Sequence, residues 1–396
     1  MLSPAPWLHA AARLPQDIVQ EVPDSTKGRV IHLHDGSTYQ GETLLGLVPH
    51  GYGELTKAGG ERFVGQFVRG KRQGKGTCYY RDGSRYEGLW EQDRPEDTGG
   101  TRYYANGDRY TGQWKAGEIE GYGTLFYASG DAYSGLWKRG ERSEQGTYTW
   151  TSTGAYYMGG WKDNLREGKG VMNYSVGSRY EGMWHLGRRH GQGKATFANG
   201  DSYEGQWYND MMHGRGTYRF ANGDVYQGDY IRGRRTGDGI YTFVNGDIYN
   251  GHFDDGVIQG EGLYSYISGG SYEGHWAGGL FNGMGTYSTK EGDSYKGAWH
   301  AGLPHGHGRL IDGKTKHRFE GEFVNGRRTG SFNEYDEEGA FVQQLTFESD
   351  STLWRGIAFD MDEEFEGGDD GEGEGEGNYI DDGSSADVPD EGEGEE

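Results

Sequence analysis

One five-residue unit, aromatic–x–Gly–x–aromatic, recurs along this chain and constrains its fold more than any other feature. Its first aromatic falls at Tyr39, Phe63, Tyr86, Tyr110, Tyr133, Tyr157, Tyr180, Tyr203, Tyr226, Tyr249, Tyr272, Tyr295 and Phe319. Successive starts are 23 or 24 residues apart through thirteen copies. Only the first copy lacks its second aromatic, carrying Thr43 instead. A period of this length marks a repeat architecture, in which each unit buries its apolar face only against its neighbours. The 396 residues would allow two or three ordinary domains, but the repeat leaves little room for them.

Eleven residues into most copies stands a Gly-x-Gly pair, as in Gly191/Gly193, Gly214/Gly216 and Gly260/Gly262. Large side chains continue its parity, for example Gly214-x-Gly216-x-Tyr218-x-Phe220. Strict period two predicts an extended strand with one packed face. In the first segment Tyr203, Gly205 and Trp207 share a face, with Glu204 and Gln206 on the other. Turn residues separate the two segments: a Gly at the eighth position (Gly70, Gly187, Gly233), and an Asn-Gly-Asp such as Asn199-Gly200-Asp201. Asn-Gly between alternating segments is the strongest short-range hairpin signal, so each copy reads as a two-stranded antiparallel unit. A lone hairpin is marginal in water and has to stack. The expected core comprises Tyr86, Gly88 and Trp90; Tyr110, Gly112 and Trp114; Tyr180, Gly182 and Trp184; Tyr203, Gly205 and Trp207; and Tyr272, Gly274 and Trp276. Each ring needs a position without a Cβ beneath it, and the expectation is that glycines and rings interleave between adjacent hairpins.

Charge is distributed unevenly. The formal net charge is −23, but residues 359–396 hold 18 Asp or Glu and no Lys or Arg, leaving about −5 on the first 358 residues. No net basic face emerges, which argues against nucleic-acid binding. No apolar run approaches the length of a transmembrane helix. One cysteine, Cys78, excludes a disulfide framework and a cysteine-based zinc site. It falls where Tyr218 and Tyr241 fall in their copies and reads as core filler.

These residues resemble the MORN repeat, a 23-residue Tyr-Glu-Gly-x-Trp … Gly-x-Gly unit, over roughly 30–332. The resemblance implies an all-β fold, an elongated, twisted solenoid of hairpins. At about 4.8 Å per strand, two strands per copy would carry it to on the order of 120 Å. It also implies a non-enzymatic scaffold with no cofactor. Departures are local: Glu144 replaces the first Gly of its pair, Thr98 and Gly100 stand in the third copy, and Gly330 then Phe332 in the last. The acidic C-terminal extension is similar to those of radial-spoke-head MORN proteins. That similarity implies a cytoskeletal place, in a ciliary or flagellar axoneme, with other axonemal proteins and a second copy of the chain as partners.

The flanks divide into an N-terminal arm (1–29), a cap (333–358) and a Glu/Gly/Asp-rich tail (359–396) expected to be disordered. Val30–His34 reads as an orphan strand covering the first copy, and Phe341, Leu345, Phe347 and Trp354 as closing the last edge.

Catalytic signatures are weak. No Gly-x-Gly opens a helix or carries the Lys-Ser/Thr of a phosphate loop. His305 and His307 form a close histidine pair, with no third ligand nearby. The 64 residues after Phe332 are too few for the lipid-kinase or SET domains that some MORN proteins carry. One asymmetry concerns partners. The Gly-centred turn carries basic pairs, Lys71/Arg72, Lys138/Arg139, Arg188/Arg189, Arg234/Arg235 and Arg327/Arg328. The opposite turn carries Asp108, Asp131, Asp201, Asp224, Asp247 and Asp293. Stacked in register, these would form a basic and an acidic ridge, the basic one able to attract phosphoinositide head groups or acidic protein tails. The corresponding alternative function is an organiser at the membrane cortex or basal body.

Overall fold

A computed structural model describes residues 30–348; the N-terminal arm, Trp354 and the acidic tail lie outside the described residues. Within them there are 29 β-strands and no helix. The strands pair antiparallel with near neighbours in the chain. They group into two compact units. The first reaches Gly130 and includes Trp137–Gly140; the second comprises Asp131–Leu136 and the chain from Glu141.

The Tyr203 copy, in the second unit, shows how sequence becomes strand. Ser202–Tyr208 pairs with Met211–Arg219, setting Tyr203 opposite Tyr218 and Gly205 opposite Gly216. Met211–Arg219 then pairs with Val225–Ile231 of the next copy, Gly216 facing Gly228 and Tyr218 facing Tyr226. The register slips between Gly205 and Gln206. The extra residues are taken up at Gly214, whose φ of 57° is one that L side chains rarely adopt. The Gly-x-Gly segment is therefore a bulge and not an uninterrupted period-two strand. Its two glycines do different work: Gly214 makes the bulge, and Gly216 makes space.

That space is filled by the leading tyrosine. A Cβ at Gly216 would lie 2.4 Å from Tyr203 ring atoms, and one at Gly205 would lie 2.6 Å from the Gly216 Cα. Tyr203 thus covers glycines of its own hairpin, correcting the expected interleaving between hairpins. Its hydroxyl donates to the Gln206 carbonyl at 2.9 Å, so the phenol is buried without an orphaned polar group. Tyr39, Tyr86, Tyr110, Tyr133, Tyr157, Tyr180, Tyr226, Tyr249, Tyr272 and Tyr295 are equally inaccessible to solvent.

The second aromatic joins the copies. Trp207 Nε1 donates to the Gly193 carbonyl of the preceding copy at 3.3 Å. Its ring meets Tyr203 and Tyr180 edge to face, at 5.2 and 5.3 Å. Trp90, Trp114, Trp184 and Trp276 repeat the donation to the glycine carbonyls of Gly76, Gly100, Gly170 and Gly262. Edge-to-face contacts of this kind contribute about 0.5–1.5 kcal/mol each beyond area burial. The rings lie flat over glycine but perpendicular to one another.

Turn chemistry departs from expectation. The two-residue turns are the Gly-centred ones: Leu186 and Gly187 both have positive φ (49° and 80°), as type I′ turns require. The Asn-Gly-Asp sequence instead forms a wider loop, closed by Phe197 N–H donating to the Asp201 carbonyl at 2.9 Å and Gly200 N–H to the Phe197 carbonyl at 3.0 Å. Three tight turns lack glycine and use Asp93, Asn164 or Asp210 at the second position. There the side-chain Oδ1 accepts a backbone N–H, from Arg72, Arg142 and Arg189 respectively, which offsets the cost of the left-handed backbone.

At the ends, Val30–His32 pairs with Thr38–Leu44. Phe347 faces Gly330 as Trp207 faces Gly191, and its ring meets Phe332 edge to face at 5.3 Å. Phe341–Phe347 pairs along Arg327–Tyr335, the last repeat strand, and within it Phe341 is 60% exposed with its ring 6.0 Å from Tyr335.

Two outcomes follow. Gly216→Ala forces the Tyr203 ring off its seat and destabilises the protein by about 1–3 kcal/mol, read as a lower thermal midpoint. Gly59→Ala, where a Cβ meets nothing within 4 Å, leaves the midpoint in place. Burial also pushes the Tyr39 phenol up to about 12, and holds Tyr180, Tyr203 and Tyr249 above the ordinary range in the same direction. A raised phenol pKa stabilises the fold fully below the unfolded value of about 10, and that stabilisation is lost as pH climbs through the folded values. Denaturant midpoints should therefore fall above about pH 10, together with the rise of phenolate absorbance. A midpoint unchanged through that rise would contradict the burial.

Candidate interaction surface

The position nine residues after the leading aromatic is occupied by Arg72, Arg142, Arg166, Arg189, Arg235 and Arg328 in six copies. Arg189 lies over the Trp207 ring of the next copy, 4.4 Å from its centroid, and its Nη2 donates to the Asp210 carbonyl at 2.7 Å. Arg72 repeats this with Trp90 (4.3 Å) and the Asp93 carbonyl (2.8 Å), and its Nη1 also donates to Glu61. Arg235 is 7% exposed among Tyr226, Tyr241 and Phe253. Arg328 lies between Phe319 and Phe347, where burial pulls its pKa below the usual guanidinium range. A guanidinium over an aromatic face is attracted by the ring quadrupole, and its alkyl stem covers apolar surface. These four arginines are inter-copy latches.

The expected basic ridge is correspondingly thinner. Lys71, Lys138, Arg139, Arg188, Arg234 and Arg327 remain exposed, and Arg234 is ion-paired with Asp255. In the second unit the positions equivalent to Arg188 and Arg234 carry Leu165, Met211, Val257, Leu280 and Leu303. Its exposed cations are therefore separated by apolar residues and form no continuous row.

The acidic ridge does not stand free, because each of its aspartates is bonded to the next copy and three of them are buried. Asp201 Oδ2 accepts from the Tyr218 hydroxyl at 2.6 Å and Oδ1 from Ala221 N–H at 2.7 Å, both in the next copy. Asp224 bonds Tyr241 and Val244 N–H, and Asp247 bonds Tyr264 and Ile267 N–H, at 2.7–2.8 Å. Asp131 reaches Tyr148 and Thr151, Asp108 reaches Ala128, and Asp293 reaches Gly313. Asp201, Asp224 and Asp247 are under 9% exposed. Charge-assisted bonds of this kind are the strong ones among neutral alternatives. Composition shows which turn carries acid, but not which way the carboxylate points.

The outward sheet face carries alternating charged and aliphatic side chains. In the second unit Glu261, Leu263, Glu273, His275, Met284 and Lys296 line a shallow groove of about 490 Å³. In the first unit Arg62, Arg85 and Arg109 lie over Tyr79, Tyr103 and Phe126 at 4.4, 3.8 and 4.6 Å. Sequence reasoning placed Arg72, Arg189, Arg235 and Arg328 on an outward ridge and did not single out Arg142, Arg166 or the Arg62, Arg85 and Arg109 row, although the fixed spacing from the leading aromatic was a readable signal.

Catalytic chemistry has little to draw on. Among the described residues no group of three or more His, Cys, Asp or Glu could hold a metal ion. His305 meets His300 rather than His307, ring to ring at 5.7 Å. Cys78 is buried, and burial with the neighbouring Glu61 carboxylate pushes its thiol up to about 12. A thiol so placed is a poor nucleophile. No helix among the described residues is long and apolar enough to cross a membrane.

Solved structures with some likeness include the Drosophila melanogaster SAS-4 TCP domain in complex with a proline-rich motif of Ana2. It is 15% identical, with 46% of this chain and 90% of that one covered and a TM-score of 0.26. The Danio rerio CPAP TCP10 domain with a STIL peptide is 9% identical over 72% and 99%, TM-score 0.26. A Staphylococcus aureus virginiamycin B lyase is 9% identical over 78% and 89%, TM-score 0.12. Likenesses this low carry no functional weight. No curated protein sequence matches this one. The MORN repeat family model matches eleven segments: 63–85, 110–132, 133–154, 157–179, 180–202, 203–225, 226–248, 249–271, 272–294, 295–314 and 319–331. The Tyr39 and Tyr86 copies fall outside them, and in the latter the second strand is broken into Arg94–Pro95 and Asp97–Tyr103. With more than half of its residues matched in register, and with the ring-on-glycine core repeated in every copy but the last, where Phe332 covers Gly321, the chain belongs to the MORN-repeat family.

Proposed function

We propose that this protein is a non-enzymatic scaffold in a cytoskeletal assembly, of the kind formed in a ciliary or flagellar axoneme. One observation carries the scaffold reading: the tyrosines, tryptophans, inward arginines and loop aspartates that the repeat supplies are all engaged in joining one strand or copy to the next. What is left for partners is a periodic outward face of mixed charge, suited to several weak simultaneous contacts rather than to one deep site. The axonemal part rests on the resemblance of the acidic extension at 359–396 to those of radial-spoke-head MORN proteins. Other axonemal proteins and a second copy of the chain are the partners this reading names.

The competing reading, an anionic-lipid organiser at the membrane cortex or basal body, needs a continuous cationic surface. Its support is reduced to Lys71, Lys138, Arg139, Arg188, Arg234 and Arg327, and an exposed cation adds only about 1 kcal/mol near an anionic membrane.

Two measurements separate the readings. The tagged protein in a ciliated cell should decorate the axoneme and survive detergent extraction; diffuse signal would count against the axonemal place. In co-sedimentation with phosphoinositide-containing vesicles the full chain should stay in the supernatant at physiological salt. Pelleting that disappears when Arg188, Arg234 and Arg327 are changed to Glu would establish the lipid reading instead.

A further inference from the structure

The chain holds seven Asn-Gly pairs, at Asn106, Asn199, Asn222, Asn245, Asn250, Asn282 and Asn325. Asn-Gly is chemically fragile, because glycine offers no side chain to shield its backbone nitrogen. That nitrogen loses its proton and attacks the asparagine Cγ, forming the N–Cγ bond of a succinimide while the Cγ–Nδ2 bond breaks and ammonia leaves. Water then opens the ring to aspartate or isoaspartate, so the net change is amide plus water to acid plus ammonia. The attack requires a free Asn side chain and a Gly N–H released from its own hydrogen bond.

Four of the pairs are locked against it in the same way. Asn199 Oδ1 accepts from Asp201 N–H at 3.0 Å while its Nδ2 donates to Asp201 Oδ2 at 2.8 Å. Gly200 N–H is held by the Phe197 carbonyl. The same two side-chain bonds join Asn106 to Asp108, Asn222 to Asp224 and Asn245 to Asp247 at 2.8–3.1 Å. Each of these aspartates is anchored in turn on the following copy, Asp201 through Tyr218 and Ala221. The lock on one copy therefore depends on the folding of the next. Asn250 lies inside a strand paired on both sides, where the ladder fixes the backbone, and Asn282 lies half-buried at the bulge before Gly283.

Asn325 differs from the four loops in its side chain and not in its glycine, since Gly326 N–H is held by the Pro304 carbonyl at 2.8 Å much as Gly200 N–H is held by Phe197. It sits at the tip of a two-residue turn with φ of 48°, exposed, and its side chain makes no hydrogen bond among the described residues. No aspartate follows its glycine; Arg327 and Arg328 do. We propose that Asn325–Gly326 is the protein's site of spontaneous deamidation, and that the Asn-Gly-Asp loops are modification sites kept closed by the aspartate two residues on. Conversion at Asn325 sets a carboxylate beside Arg327, one of the exposed cations. Conversion at Asn199 would set a second carboxylate against Asp201 and break the latch to the next copy.

Peptide mapping by mass spectrometry of the full-length protein aged in mildly alkaline buffer tests this. Amide-to-acid conversion at Asn325 should exceed that at each of Asn106, Asn199, Asn222 and Asn245 by about tenfold or more, the rate factor one charge-assisted hydrogen bond corresponds to. In strong denaturant the sites should converge. Asp201→Ala should raise conversion at Asn199 by a similar factor and leave Asn245 unchanged. Tyr218→Phe, which removes a single hydroxyl, serves if the first variant fails to fold and should raise Asn199 in the same direction. Equal rates at Asn325 and the four loops in the native protein, a spread that persists in denaturant, or an unmoved Asn199 in a folded variant would each overturn the proposal.

Discussion

A tyrosine ring seated on two paired glycines is the contact on which the rest of this structure depends. Tyr203 over Gly205 and Gly216 leaves no room for a Cβ on either strand, so ring and bare backbone specify each other. Repetition turns this into a line of rings that meet edge to face at 5.2–5.3 Å, as in Tyr157–Trp184–Tyr180–Trp207–Tyr203. Glycine costs entropy when it is ordered in a strand, and the burial of a large aromatic at every copy offsets that cost. No single copy has an interior of its own. Each becomes stable only when its neighbours supply the missing contacts, as the nearest-neighbour character of repeat proteins requires.

Polar groups are arranged by the same logic. A single sheet bearing this many tyrosines, tryptophans, arginines and aspartates on its packed face would be costly if any of them went unpaired. Instead phenol donates to the carbonyl three residues on, indole to the preceding copy and guanidinium to the following one, while carboxylate accepts from the following copy. These bonds fix the register from one copy to the next, which apolar packing alone specifies less sharply. They also account for the absence of a reactive constellation among the described residues. Groups that elsewhere act as acids, bases or anion clamps are here held by backbone and rings.

The fold was largely legible from residue order, whereas the surface was not. Period, strand pairing and the Tyr/Gly/Trp core follow from spacing alone, because a side chain's face in a strand depends only on parity. Three features did not follow. The bulge at Gly214 interrupts the parity while leaving the sequence pattern intact. The Asn-Gly-Asp segment carries the strongest hairpin signal yet forms the wider loop. And the two charged ridges were read from residue type, while the fate of a long or bent side chain depends on what lies within its reach. Arg188 and Arg189 are adjacent and chemically identical, yet one is exposed and the other lies over Trp207.

By itself the sequence determined that this chain is a stack of two-stranded units with aromatic rings over glycine, since no other arrangement satisfies a 23-residue period of those residue types. The tertiary structure alone decided which charges remain for a partner. Asp201 is equally acidic in a turn facing water and in a turn facing Tyr218, and only the position of the next copy, set by the ladder between strands, distinguishes the two. Burial is a property of neighbours, and in a repeat those neighbours are a full period away along the chain.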